Sequence, residues 1–247
     1  MSGTINVTFR LADLAETPEA RADAKTAADN PASAAAAAAA APTRIANPAL
    51  RSFDLFPTRI WQARLDPLLP QLPRWVQEVL AMREASPSPA GRTNRHGWNS
   101  TDMNVLGQPA FAELQQAVRA ACAAALGQMG RSTPFSLQSW INLHDRGGFN
   151  FLHLHEGSLL SGGFYLQVPP GSGQFVFRDP RPGVLHGCIK GAVPNGHSDI
   201  HLTPSAGLLV LFPCWMEHYV EPHDNDAPRI TLAFNANALD SGAGAPP

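Results

Sequence analysis

Leu159-Leu160-Ser161-Gly162-Gly163-Phe164-Tyr165-Leu166-Gln167-Val168 is followed by Pro169-Pro170-Gly171-Ser172-Gly173 and then by Gln174-Phe175-Val176-Phe177-Arg178. A β-type run, a Pro/Gly break and a second β-type run form the rhythm of antiparallel strands. That rhythm holds from Phe135 to Ala236, through residues 136–144, 151–155, 184–189, 199–203, 207–212, 216–220 and 229–235. About nine short strands at spacings of roughly 8 to 12 residues predict a sandwich, jelly roll or barrel rather than a βαβ sheet.

Two helices are predicted ahead of this β body. In the first, Leu72, Trp75, Val76, Val79, Leu80 and Met82 recur at helical spacing until the Ser86-Pro87-Ser88-Pro89 break. In the second, Phe111, Leu114, Val118, Ala121, Cys122 and Leu126 repeat the pattern after Pro109, with Gly127 as the expected stop. Both read as packing elements. Residues 53–61 read as an extended apolar approach whose Pro57 confines it to an edge or a bend. Before them, residues 1–50 are low in complexity, with an unbroken alanine run at residues 34–41, and are expected to be a disordered tail. Residues 51–237 form the predicted domain, and 238–247 a flexible C-terminal tail.

The 247 residues, 44% hydrophobic and 15% charged, suffice for one large globular core. Eighteen Lys+Arg oppose twenty Asp+Glu with no basic stripe, which argues against nucleic-acid binding by bulk electrostatics. No stretch reaches eighteen consecutive apolar residues, and the first thirty residues carry charges where a secretory segment needs an apolar run. A soluble, cytoplasmic protein without membrane partners is expected. Cys122, Cys188 and Cys214 have no Cys-x-x-Cys spacing and read as small hydrophobes.

Chemistry concentrates at a few positions. His153-Leu154-His155 lies in a β-type run, so period two turns both imidazoles to one face. His218 follows 65 residues later, at the start of a late run. A pair from one strand and a single histidine from another can build a facial three-ligand metal site with open positions. The bland alternative is a set of core histidines bonded to carbonyls. After Lys190 the chain's one cation of the Lys/Arg type is Arg229. Period two sets Arg229, Thr231, Ala233 and Asn235 on one face of the run and Ile230, Leu232 and Phe234 on the other. A lone guanidinium with a hydroxyl beside it suits a carboxylate; the bland alternative is a surface salt bridge.

Taken in order, His153-x-His155, Leu160-Ser161-Gly162-Gly163-Phe164-Tyr165-Leu166, residues 173–180, residues 204–213, His218 and Arg229-x-Thr231 resemble the Fe(II)- and 2-oxoglutarate-dependent oxygenases, in an order similar to the prolyl hydroxylase branch. Leu55-Phe56-Pro57-Thr58 and Gly97-Trp98-Asn99-Ser100 are similar to elements of a bacterial group of that superfamily. The resemblance covers residues 53–237. It implies a double-stranded β-helix of the jelly-roll, cupin-like type preceded by two packing helices. It implies oxidative decarboxylation of 2-oxoglutarate coupled to hydroxylation of a small-molecule or peptide substrate by O2. It matches His153 and His218 to the iron ligands, and Arg229, assisted by Thr231, to the holder of the distal carboxylate. One position departs from the family. Most members carry Asp or Glu where this chain has His155, so the implied set is His153, His155 and His218, one negative charge poorer.

Glu156 is expected to face away from the pair, and Asp179 to be a turn residue before Pro180. Asn142 and Tyr165 face the cavity if their strands flank the metal strand, as further cosubstrate contacts. Trp98, Trp140 and Trp215 read as packing residues, and His96, His144, His186, His197, His201 and His223 as surface or capping histidines. Gly147-Gly148 and Gly162-Gly163 read as turn or bulge positions. Two other readings stay open: a three-histidine cupin-like dioxygenase or isomerase without 2-oxoglutarate, and a non-catalytic jelly-roll module.

Overall fold

A computed structural model describes residues 57–182 and 198–239, all within one unit, Asp54–Pro247. Residues 1–56 with the alanine run, the predicted strand at 184–189, Cys188, His186, His197 and the tail beyond 239 lie outside the described residues.

The apolar periodicity sets two helices. The first, α1 (Leu72–Ala85), buries Leu72, Trp75, Val76 and Val79 on one stripe and carries Pro in its first turn, where no intrahelical donor is lost. It ends at Ser86, whose ψ of 77° has left the helical region that the following Pro87 disfavours. The second, α2 (Ala112–Gln128), buries Leu114, Val118, Cys122, Ala125 and Leu126. It does not stop at Gly127. The chain turns at Gly130 (φ +72°), where the Arg131 amide donates to the Leu126 carbonyl. The glycine with no Cβ penalty in the left-handed region, not the first glycine met, terminates the helix.

Among the described residues, nine strands form one antiparallel, curled sheet: β1 (Trp61–Arg64), β2 (Asn94–Asn99), β3 (Phe135–His153), β4 (Leu160–Gln167), β5 (Phe175–Arg178), β6 (Asp199–Leu202), β7 (Leu208–Pro213), β8 (His218–Val220) and β9 (Arg229–Ala238). The order is β1-β7-β4-β9-β3-β8-β5-β6, with β2 pairing on β3. Residues 57–60 of the predicted extended run 53–61 are not strand, and β1, which starts at its last residue Trp61, stands at the end of this order. The runs at 136–144 and 151–155 are not separate strands. They are parts of one 19-residue strand, β3, which pairs with β9 from Phe135 to His144 and with β8 from Asn150 onward. Between these stretches the β2–β3 register shifts, Gly147 takes φ +79°, and the Gly147 and His223 amides bond across to the His223 and Gly148 carbonyls. This stapled corner lets one strand serve both arms of the curled sheet.

Period two then separates two environments. Ile141, Leu143, Leu160, Phe164, Leu166, Ile230, Leu232 and Phe234 pack with the helices in the main core, where Trp75 lies over Phe111 and edge-on to Phe164. The alternate residues of the same strands face the sheet's concave side. Gly162 and Gly163 sit inside β4, not in a turn. A Cβ on Gly162 would lie 2.5 Å from the Val210 carbonyl and 2.6 Å from the Phe234 ring, so only glycine lets β4 and β9 close at that point. Gly162→Ala is expected to destabilise the protein by about 1–3 kcal/mol through overpacking. Urea denaturation with an unchanged midpoint would contradict this packing.

Candidate metal centre and its cavity

His153 is the last residue of β3 and pairs directly with His218, the first residue of β8. Cross-strand neighbours share a face, and the two ring centroids are 4.3 Å apart. His155 lies just past the end of β3 rather than within it, with its amide donating to the Cys214 carbonyl at 2.9 Å. Its ring is parallel to that of His218 and stacks on Trp140 at 5.7 Å. The candidate ligand atoms of all three lie within 4.8 Å of one another, and the Nε2 atoms of His155 and His218 are 3.3 Å apart.

Two backbone carbonyls set the tautomers. His153 Nδ1–H donates to the Phe151 carbonyl at 2.7 Å, and His218 Nδ1–H to the Met216 carbonyl at 2.8 Å. A carbonyl can only accept, so each Nδ1 carries its ring's proton and each Nε2 keeps a lone pair, the outer-shell arrangement of a metal-binding imidazole. Burial lowers the pKa of His153. Burial and then His153 lower that of His155 to about 4. Burial and then both neighbours push that of His218 well down. All three rings are neutral at pH 7. Glu156 is exposed and Asp179 is paired with Arg181 at 2.6 Å in a turn, both outside the group.

The rings open into a cavity of about 280 Å³. Register builds its floor in rows across the strands. Asn99, Asn142, Thr231 and Tyr165 are successive neighbours on β2, β3, β9 and β4; Trp140, Ala233, Gly163 and Val210 are neighbours on β3, β9, β4 and β7. The small pair Ala233 and Gly163 leaves space between polar surroundings. Thus Asn142, Tyr165, Arg229 and Thr231 all line the cavity that the three histidines line.

Arg229 is 1% exposed. Its Nη1 donates to Thr231 Oγ1 at 3.1 Å and to His144 Nδ1 at 3.3 Å, and its guanidinium carbon lies 5.1 Å from the Tyr165 ring centre. Its Nε is buried without an acceptor, and no carboxylate reaches it among the described residues. Burial lowers its pKa, with Tyr165 opposing, and burial raises that of Tyr165. A surface salt bridge is therefore not its role.

Several expected placements are corrected. His144 is not a surface histidine: it is fully buried opposite Arg229 in the β3–β9 register, a pairing visible only once the strands are aligned. His223 is also buried, with Nε2 donating to the Ala227 carbonyl at 2.8 Å. His96 and His201 are exposed, as expected. Trp98 is core and donates to the Ser86 carbonyl at 2.7 Å, whereas Trp140 lines the cavity and Trp215 is 48% exposed. Cys122 is buried and burial raises its thiol pKa to about 12, so it is unreactive; Cys214 is only partly buried. Arg92 and Asn99 also line the cavity. No periodicity pointed to Arg92, which sits in the turn before β2.

Residues 138–235 match the family model described as "Putative 2OG-Fe(II) oxygenase". The match falls on the β body and covers less than half of the chain. The match spans β3 to β9 and leaves the helices outside it. In fold, the chain is similar to a Pseudomonas putida prolyl-4-hydroxylase (17% identity, 74% of this chain and 94% of that one, TM-score 0.56). It is also similar to a Trichoplax adhaerens prolyl hydroxylase solved with a hypoxia-inducible-factor peptide (15%, 72% and 83%, 0.53). A third similar structure is HygX from Streptomyces hygroscopicus with nickel and 2-oxoglutarate bound (13%, 74% and 84%, 0.52). No curated protein matches the chain significantly. The expected double-stranded β-helix of jelly-roll type is the observed fold.

The residues fit Fe(II) and 2-oxoglutarate. Three neutral imidazoles are a suitable donor set for Fe(II). Two nitrogens bound at about 2.1 Å and at right angles on one divalent ion lie about 3.0 Å apart, close to the separation of His155 and His218. The unpaired, buried guanidinium in the same cavity calls for an anion.

His144 has its own consequence for stability. Burial, and then the Arg229 charge, lower its pKa from 6.5 to about 3. The unfolded chain takes up this proton near pH 6.5 and the folded chain does not, so stability present above pH 6.5 is lost as pH falls toward 3. The slope is about 1.4 kcal/mol per pH unit for one proton. His144→Gln, which can still accept from Arg229, is expected to reduce the slope of stability against pH in this window, as read by urea unfolding at several pH values. An unchanged slope would exclude a buried neutral His144.

Proposed function

We propose that this chain is an Fe(II)- and 2-oxoglutarate-dependent hydroxylase whose iron ligands are His153, His155 and His218. Arg229, with Thr231, Asn142 and Tyr165, holds 2-oxoglutarate, and residues 51–237 constitute the oxygenase domain. The observation that carries this reading is the buried Arg229 guanidinium, without a carboxylate partner, in the cavity that the three histidines line. With O2, the bound metal and cosubstrate supply oxidative decarboxylation to succinate and CO2 together with the oxidising power for hydroxylation.

The protein's own contribution is placement. The Arg229 fork can engage a carboxylate bidentately, and the Thr231 hydroxyl, already at 3.1 Å from Nη1, is free to donate its hydrogen to a second lone pair. His144 holds the inner edge of the guanidinium as a neutral acceptor. Asn142 accepts from the Asn99 amide, which fixes its own NH2 group as a donor toward the cavity. Phe175 and Phe212 pack against the His218 ring and keep that side dry. The substrate is a small molecule or a peptide, a range in keeping with the chemistry of the neighbours of similar fold. No helix among the described residues is long and apolar enough to cross a membrane.

A second reading has one observation in its favour. The donor set lacks a carboxylate, as a three-histidine dioxygenase without 2-oxoglutarate would have it. Succinate formation separates the two. Wild-type protein with Fe(II) is expected to convert 2-oxoglutarate to succinate, and Arg229→Ala to raise the KM for 2-oxoglutarate at least about tenfold, the loss of one charge-assisted hydrogen-bond pair. Equal turnover by both proteins would overturn the carboxylate assignment.

The metal assignment is tested by iron content and melting temperature. His153→Ala and His218→Ala are expected to lose bound iron and the stabilisation that Fe(II) gives the wild type under anaerobic conditions. Retention of stoichiometric iron by either variant would remove that residue from the ligand set.

A further inference from the structure

The cavity holds a second arginine that the proposed reaction does not use. Arg92, in the turn before β2, lines the cavity with its guanidinium carbon 5.6 Å from the centre of the Trp140 ring, and Trp140 in turn stacks on His155. Its Nη1 is buried without an acceptor, and its Nη2 donates to the Met103 sulfur, a weak acceptor. No carboxylate pairs with it among the described residues. Arg92 is half-buried, and burial lowers its pKa.

Arg92 and Arg229 have different surroundings in the cavity. Arg92 lies over Trp140, whereas Arg229 lies opposite His144, four residues further along β3. The Arg229 guanidinium reaches Thr231 and the face of Tyr165, in the Asn142–Thr231 row, and the Arg92 guanidinium lies over Trp140, in the next row.

Charge points the same way. Among the described residues, none that lines the cavity is Asp or Glu. On the reading proposed above, the ion brings two positive charges and the arginines one each, while 2-oxoglutarate returns two negative ones. Because the third ligand is His155 and not a carboxylate, two positive charges stay unbalanced in a confined space of low dielectric. A substrate bearing an anion relieves this; a cationic one worsens it.

We propose that Arg92 is the substrate-recognition residue of the cavity, and that the substrate carries a carboxylate or phosphate which Arg92 binds beside the apolar surface of Trp140 and Met103. This rests on the Fe(II)/2-oxoglutarate reading. Guanidinium forks bind both anions bidentately, and Arg92, held by the ring beneath it, presents such a fork next to the metal-facing histidine.

The test is calorimetric titration of the Fe(II)-loaded, 2-oxoglutarate-saturated protein under anaerobic conditions with benzoate, benzamide, phenyl phosphate and phenol. At least one anion is expected to bind at least about tenfold more tightly than its neutral counterpart, and the tighter of the two anions tells carboxylate from phosphate. Arg92→Gln is expected to weaken that binding at least about tenfold, and Arg92→Lys to restore part of it. The rise in melting temperature caused by 2-oxoglutarate should persist in Arg92→Gln, which separates a lost contact from a lost fold. Equal binding of acid and neutral probes, no binding of either anion, or full anion binding by Arg92→Gln would overturn the proposal. So would loss of the 2-oxoglutarate response in Arg92→Gln, which would assign Arg92 to the cosubstrate. If the wild type itself shows no 2-oxoglutarate response, the underlying reading fails instead, and the calorimetry is then not interpretable as a substrate test.

Discussion

A guanidinium charge stripped of water is the constraint around which this cavity is organised. Burying Arg229 with no carboxylate costs several kcal/mol, and the fold offsets it with dipoles rather than with a counter-charge: the Thr231 hydroxyl, the Nδ1 lone pair of a neutral His144 and the face of Tyr165. Such an arrangement leaves the positive charge available to a ligand. Had an aspartate stood where His144 stands, Arg229 would be neutralised and the cavity would have no pull on an acid.

The geometry that sustains this charge comes from the placement of β9 between β3 and β4. Alternate residues of β9 belong to different worlds: Ile230, Leu232 and Phe234 secure the strand against the helices, and Arg229, Thr231, Ala233 and Asn235 face inward. The same strand is therefore anchored by one face and functional on the other, which is why the inner face can carry polar groups that would otherwise unfold it. The corner in β3 completes the site. By leaving β9 after His144 and meeting β8 from Asn150, β3 delivers His153 to His218 across a ladder rung, while its earlier half supplies Trp140, Asn142 and His144 to the same cavity. One strand thus links the three-histidine group to the environment of the guanidinium.

The substitution of His155 for an acid has an electrostatic meaning beyond ligand count. A carboxylate at that position would bring a negative charge to the three-histidine group; a neutral ring does not, and among the described residues no side chain lining the cavity is anionic. Arg92 adds to the same imbalance. The positive character of the interior is a property of the whole lining and not of one residue.

Much of this was legible in the chain as written. The strand rhythm, the two apolar helical stripes, the alternation along 229–235 and the pairing of His153 with His155 are local regularities, and local backbone geometry converts them directly into faces and neighbours. His155 needed no strand to share that face, since its place is held by a bond from its amide to the Cys214 carbonyl. What local pattern could not supply was anything that depends on register. His144 looked like a surface histidine until alignment with β9 set it against Arg229; Trp140 looked like packing until the same alignment set it beside small Ala233 and Gly163. Gly162 and Gly163 read as turn or bulge positions because what crowds them is distant in sequence: Val210 and Phe234 at Gly162, and Thr231 at Gly163. By itself, then, the sequence determined which residue types face inward, since side-chain direction alternates with the backbone. Only the tertiary structure decided which of them meet, because contact across strands is set by long-range pairing and by the corner that redirects β3.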